Sequence, residues 1–241
     1  MSAAAFAVIA LAVFGAACMQ ASIGFGMGML AAPVVALVDP GLLPGTLIAM
    51  ATVVTLLVVL RERTSLDLHG AGWALAGRVP GTVAGALLLV VLPQRVLALV
   101  LAGVVLAGVA FAASGWAPSP RRRTMAAAGA ASGLLGTATS IGGPPMALVM
   151  QGTSGPRLRG TMSAFFLVGS LMSLAVLALT GSVDRGIAVV SALLVPATVL
   201  GYVASRYVNR LLDARRLRVA SIVVSSAGAV LLIGQQALAL L

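Results

Sequence analysis

Two interruptions constrain this chain more than any other feature. Ser22-Ile23-Gly24-Phe25-Gly26-Met27-Gly28 and Ser140-Ile141-Gly142-Gly143-Pro144-Pro145 lie 118 positions apart, each inside a long apolar run. Glycine and proline break a helix there and leave backbone N–H and C=O groups without partners. Lipid cannot supply those partners, so such backbone persists at membrane depth only where protein buries it or where it lines a watery cavity. Paired Gly/Pro interruptions at corresponding places in two halves point to the binding site of a carrier. The chain therefore reads as a duplicated membrane carrier.

Hydrophobic residues make up 61% of the sequence and charged residues 8%, against roughly 45–50% and about 25% in soluble domains. The apolar runs recur from end to end, beyond what one removable signal peptide supplies. Met1 to Met19 lacks a basic flank and ends in Ala-Cys-Met, so it reads as a structural helix. Net charge is +10, yet all fifteen basic residues are arginines and nearly all fall between apolar runs. They carry topology information rather than a nucleic-acid signature. The single cysteine, Cys18, excludes an internal disulfide and a cysteine-based metal cluster. Trp73 and Trp116 are the only indole anchors for the membrane interfaces. His69 beside Asp67 sits in a connection and reads as neither metal ligand nor proton relay. No nucleophile–base pair, carboxylate pair or ligand cluster stands at membrane depth, so neither an enzyme nor a metal or cofactor is expected.

Apolar runs occupy residues 3–20, 24–38, 44–60, 70–92, 95–114, 124–137, 142–152, 160–180, 186–206 and 217–238. Crossing a bilayer as a helix takes about 20 residues, with a range of roughly 17–25. The runs 24–38, 124–137 and 142–152 fall short and adjoin the two breaks, as half-helices, tilted short spans or re-entrant pieces would. Further landmarks repeat in order: Gly45-Thr46 with Gly160-Thr161, Pro80 to Gly85 with Pro196 to Gly201, and Arg95-Val96-Leu97 with Arg215-Arg216-Leu217. Collinear matches of this kind indicate an internal repeat. One transporter domain then spans the chain, with repeat one at about 3–114, a polar linker at about 115–123, and repeat two at about 124–238.

Arginine placement orients these runs. If the segments flanking each break enter and leave on one face, twelve arginines share a side: Arg61, Arg63, Arg121, Arg122, Arg123, Arg157, Arg159, Arg206, Arg210, Arg215, Arg216 and Arg218. Only Arg95 and Arg185 fall opposite, and Arg78 lies within a run. A mere kink at each break would split the charges nearly evenly, so the positive-inside rule favours the first arrangement. It places both termini outside and the Arg121–Arg123 linker in the cytoplasm. Each half then crosses an odd number of times, and the expected fold is an all-α membrane protein of two inverted repeats whose broken helices meet near the bilayer midplane.

The runs Gly24 to Pro33 (GFGMGMLAAP), Ser140 to Met150 (SIGGPPMALVM) and Arg159 to Leu174 (RGTMSAFFLVGSLMSL) resemble the sulfite exporter TauE/SafE family. The likeness covers essentially the whole chain. It implies a multi-pass carrier of the cytoplasmic membrane that exports small sulfur-containing or organic anions such as sulfite or organosulfonates. The first run departs from the family pattern at Met27 and Met29, where further glycine is common; the larger side chains narrow or reshape the site.

A half-helix that begins at membrane depth presents open N–H groups and a partial charge of about +0.5, which suits an anion. Gly24, Gly26 and Gly28, with Gly142 and Gly143, permit close backbone approach to an oxyanion. Pro144 suits the first turn of a helix. Ser22, Thr139 and Ser140 add hydroxyls, and Gln20 requires hydrogen-bond partners at that depth. Arg78 has two readings: a guanidinium fork for sulfite or sulfonate oxygens, or a side chain that snorkels to the interface five residues past Trp73. Arg159 is either a topology anchor or an anion attractor at an inner vestibule. Cys18 reads as a small hydrophobe, and scattered glycines such as Gly103, Gly108 and Gly129 as helix-packing positions.

The expected partners are a small anionic substrate and the lipid bilayer, with no nucleic acid. Two other functions share this scaffold: an anion or small-solute channel, and a non-transporting membrane scaffold. The arginine partition makes a prediction of its own. Reporter fusions near Ser119 should give a cytoplasmic signal and fusions at Leu241 an external one; a cytoplasmic signal at Leu241 removes the inverted arrangement.

Overall fold

The computed structural model describes residues 1–114, 118–153 and 155–211. The expected 217–238 span, Trp116, Asp213, Arg215, Arg216, Arg218 and Leu241 lie outside the described residues, as do the surroundings of His69, Gly108 and Arg210. The described chain is helical: α1 (Ala3–Ile23), α2 (Met27–Val38), a 3-10 turn (Pro40–Leu42), α3 (Gly45–Arg61), α4 (Leu68–Val91), α5 (Gln94–Ser114), α6 (Arg122–Thr139), α7 (Gly143–Val149), α8 (Gly155–Leu179) and α9 (Arg185–Leu211). It contains no strand among the described residues.

Among the described residues, four stretches are long and apolar enough to cross a membrane: Ala3–Ile23, Ala71–Val91, Gly155–Leu179 and Arg185–Val208. The 44–60 run forms the 17-residue α3, at the short end for a span. α6, at 18 residues, extends past its apolar run by Arg122 and Arg123 at its start and by Ala138 and Thr139 at its end. α7 is shorter, at seven residues. Leu87, Val90 and Val91 of α4 and Leu193 and Leu200 of α9 are exposed, as lipid-facing side chains are.

Glycine sets how closely the helices approach. On α4, Gly77, Gly81 and Gly85 recur every four residues and lie against the backbone of Ala126, Ala130 and Leu134 on α6. Gly129 and Gly133 of α6 reciprocate against Ala74 and Arg78. The numbers rise together, so the two helices run parallel. A Cβ at Gly77, Gly81 or Gly129 would meet a main-chain carbonyl oxygen, which no side-chain rotation relieves. This is the small-xxx-small seam of membrane helices, and the packing expected of Gly129; Gly103 faces nothing within 4 Å. α1 packs on α9 in the same manner, with Gly201 against the Phe14 carbonyl and Ala17.

α3 crosses α8 in the opposite sense. Thr52 Oγ1 donates to Ser170 Oγ at 2.9 Å, while Glu62 at the end of α3 reaches Arg159 near the start of α8. Exchange of the halves carries this packing onto itself: α4 on α6 becomes α9 on α1, α4 on α8 becomes α9 on α3, and α3 on α8 returns to itself.

The register differs from the Ser-Ile-Gly match at 118. α1 stops at Ile23 and α6 at Thr139, while α2 starts at Met27 and α7 at Gly143. Both boundaries recur at a shift of 116, which also relates Pro80 of α4 to Pro196 of α9. Gly24 therefore corresponds to Ser140 rather than to Gly142. The cause is the cap: a left-handed residue ends each helix, Gly24 at φ 91 and Ser140 at φ 64.

Gly81→Val should destabilise the protein by about 1–3 kcal/mol, the usual cost of overpacking. Gly72, with nothing within 4 Å of its would-be Cβ, supplies the control. Thermal unfolding in detergent should show a lowered Tm for Gly81→Val and an equal or raised one for Gly72→Ala.

Candidate functional site

The first break is built from the end of α1. Gly24 donates its N–H to the Gln20 carbonyl at 2.8 Å and has Met162 and the Arg159 backbone packed against it. Gly26 takes φ 122, beneath the Met19 side chain. Gln20 folds its side chain over the gap, and its Oε1 accepts from the Met27 N–H at 2.8 Å, capping α2. Ser22 is satisfied within α1, donating to the Cys18 carbonyl at 2.7 Å.

The second break follows α6. Ser140, at φ 64, is the one non-glycine residue with positive φ among the described residues. Its Oγ donates to the Pro44 carbonyl at 3.1 Å, a bond that ties the break to the start of α3. Thr139 Oγ1 donates to the Leu135 carbonyl at 2.7 Å and accepts from the Ile141 N–H at 3.3 Å. Pro144 and Pro145 occupy the first turn of α7 and contribute no N–H. The expectation of open N–H groups at both half-helices is thus narrowed. Gln20 takes one on α2, and proline removes two from α7.

The two breaks touch. Gly28, in the first turn of α2, lies against the Ser140 carbonyl, and Gly143 lies 3.1–3.6 Å, measured from its would-be Cβ, from Phe25. Beside this junction is a cavity of about 40 Å³. Gln20, Gly26, Met27, Gly28 and Met29 line it from the first break, and Ser140, Ile141, Gly142 and Gly143 from the second. Ile48 and Ala51 of α3, Gly136 of α6, and Phe166, Ser170 and Ser173 of α8 complete the wall around Arg78 of α4.

Arg78 is the charged group of this wall. It is 3% exposed, so it does not snorkel; its side chain turns inward because glycine leaves a slot for it. A Cβ at Gly169 would collide with the guanidinium, and one at Gly133 would press on its stem at 3.0 Å. Nη1 donates to Ser132 Oγ at 3.1 Å, and Ser132 Oγ donates onward to the Gly142 carbonyl at 2.6 Å. The arginine is thereby linked to the second break through one hydroxyl. The guanidinium carbon lies 4.8 and 5.6 Å from the ring centroids of Phe165 and Phe166, whose faces attract a cation. Its Nε has no hydrogen-bond partner. A buried, unsatisfied charged donor is costly, and no carboxylate on the cavity wall offsets the guanidinium charge.

Of the residues singled out from sequence, Gln20, Gly26, Gly28, Arg78, Ser140, Gly142 and Gly143 come together on the cavity. Ser22, Gly24, Thr139 and Pro144 are outside its lining and serve the helix ends. Arg159 is elsewhere too, donating through Nε and Nη2 to Glu62 Oε1 at 3.1 and 3.0 Å. Glu62 also accepts from Arg61 at 3.2 Å, and Arg61 reaches the Ala21 carbonyl at 2.8 Å and Ser205 at 3.3 Å. Cys18 is buried and does not line the cavity. Sequence reading missed Ser132, Gly136, Phe166, Gly169, Ser170 and Ser173. The small-polar cluster Gly169-Ser170 with Ser173 inside an apolar helix was an available signal.

Gly169→Ala should force the Arg78 side chain out of its slot, since the added methyl would lie on its Cδ, Nε and Cζ. Displacing the guanidinium by about 1 Å should lower transport on the order of 10- to 100-fold. Flux in proteoliposomes, set against the melting curve of the same preparation, checks this expectation.

No curated protein and no solved structure shows a significant match to the chain. A family model does: Sulfite exporter TauE/SafE matches residues 9–232, nearly the entire sequence and both breaks. With its apolar helices and their interrupted pairs, the chain is a multi-pass membrane protein that belongs to the TauE/SafE sulfite exporter family of membrane transporters.

Proposed function

We propose that the chain is a secondary transporter that exports small sulfur-containing or organic anions, such as sulfite or organosulfonates, across the cytoplasmic membrane. The observation that carries this reading is Arg78: a buried guanidinium with an unpartnered Nε, on a cavity where two broken helices meet. The substrate site is that cavity, with Arg78 as anion ligand and Gln20, Ser140 and the break glycines as its polar surround. Ser22, Gly24, Thr139, Pro144 and Arg159 act by holding the breaks and the helix ends around it.

Alternating access between inverted halves fits the packing. α3 and α8 occupy matching places in the two halves and run antiparallel, the relation that an axis in the membrane plane produces. The arginine partition then places the termini outside and the Arg121–Arg123 linker in the cytoplasm.

Export is driven by the membrane potential. The described carboxylates are engaged away from the cavity: Glu62 with Arg61 and Arg159, Asp67 with Arg157, Asp39 with the Gly41 N–H and Asp184 with the Ile187 N–H. None is positioned to relay a proton through the site. An inside-negative potential supplies about 2.3 kcal/mol per charge per 100 mV, roughly a 50-fold outward gradient for a monovalent anion.

In proteoliposomes, a potassium–valinomycin potential should drive saturable sulfite flux without a pH gradient. Arg78→Gln should reduce that flux at least tenfold. Flux that followed an imposed pH gradient and ignored the potential, even for a permanently charged sulfonate, would refute the energetic scheme. Normal flux in Arg78→Gln would refute the site.

A further inference from the structure

We infer that the cavity accepts compact oxyanions bearing a single negative charge, and turns away dianions, zwitterions and longer sulfonates. This rests on the transport-site reading above and narrows it. The charge inventory comes first. Among the described residues, Arg78 is the only ionisable side chain on the wall, although α1, α2, α3, α4, α6, α7 and α8 or their connecting breaks all pack around it. Asp39, Glu62, Asp67 and Asp184 are absent from the lining.

Helix dipoles do not raise the count. The positive ends of α2 at Gly26 to Met29 and of α7 at Gly142 and Gly143 border the cavity, but so do the negative ends of α1 at Gln20 and of α6 at Gly136 and Ser140, and these half-charges oppose each other. Arg78 is left as the net field. One negative charge completes it. A second would lie in an apolar surround of Met27, Met29, Ile48 and Phe166 with no cation to meet it, and an ammonium group would face an arginine with no carboxylate nearby.

Donor count and size agree with the charge. Gln20 uses its carbonyl oxygen on Met27, which leaves its amide NH₂ to donate, and Arg78 spends one guanidinium N–H on Ser132. The Ser140 hydroxyl is already committed to Pro44. The Gln20 amide and the guanidinium N–H groups not taken by Ser132 suit the oxygens of one small anion. A volume of about 40 Å³, against roughly 10–15 Å³ for a single water, holds about three to four water-sized groups, the scale of a compact oxyanion.

For sulfite, which exchanges between a monoanion and a dianion near neutral pH, the carried species is then hydrogen sulfite. Isothermal titration of the full chain in nanodiscs tests this, with sulfite, methanesulfonate, propanesulfonate, sulfate and taurine at about pH 6 and pH 8.5. Sulfite affinity should fall about tenfold per unit above its second ionisation, whereas methanesulfonate, a permanent compact monoanion, should bind equally at both. Propanesulfonate, sulfate and taurine should bind at least tenfold more weakly than methanesulfonate, and Arg78→Gln should lose both compact anions. Sulfite affinity that holds or rises at the higher pH, or sulfate binding as tightly as methanesulfonate, overturns the single-charge inference while leaving an anion site in place. Propanesulfonate matching methanesulfonate overturns the size limit. Absence of binding by every anion, or binding unchanged in Arg78→Gln, overturns the transport-site reading itself.

Discussion

A peptide group removed from water must find a hydrogen-bond partner within the protein, and in a bilayer nothing else will serve. Everything at the centre of this chain follows from two places where a helix stops and another begins. At Gly24–Gly26 and Ser140–Gly142 the ladder of main-chain bonds is interrupted. The open groups are met by Gln20 on the Met27 N–H, Thr139 on the Ile141 N–H, and Ser132 on the Gly142 carbonyl. Each of these side chains would be an oddity in an ordinary apolar helix. Here they are what makes the interruption tolerable, and they concentrate polarity in one place.

That concentration makes room for a charge. Arg78 would be costly against lipid, and a guanidinium has no conventional place in a core of Met, Ile and Phe. Its burial depends on three glycines from two other helices, Gly133, Gly136 and Gly169, together with two aromatic faces. The helix seam serves two ends at once. Glycine lets α4 and α6 approach to backbone contact, and the same closeness delivers the arginine to the end of α6.

The breaks were legible in sequence because glycine and proline in an apolar run have few explanations. Their register was less so: identity of Ser-Ile-Gly suggested a shift of 118, while helix capping sets 116, and Ser140 in a left-handed conformation is not something composition announces. Arg78 was visible as an anomaly, but its direction was not. Snorkelling and burial differ by which neighbours leave space, and the deciding residue, Gly169, is far away in the chain. Ser132 and Ser173 were hidden for another reason, since hydroxyls in apolar helices commonly bond back to their own backbone and look alike until the partner helix is placed. Gly81 and Gly85 stand out in sequence as part of a repeat, and their four-residue spacing, shared with Gly77, is also that of a packing seam.

The α4–α6 seam also has a mechanical side. Two helices in contact through main-chain atoms over three turns shift together or not at all, and the bond from Arg78 through Ser132 to Gly142 fastens the arginine to the second break. By number Arg78 belongs to the first half of the chain; by attachment it travels with the second. α1 and α9 form the corresponding pair, again one helix from each half. The two tightest seams thus each join a helix from the first part of the chain to one from the second. A rearrangement that kept both seams would hold the distance from Arg78 to Gly142 and leave the distance from Arg78 to Gly26 free to change.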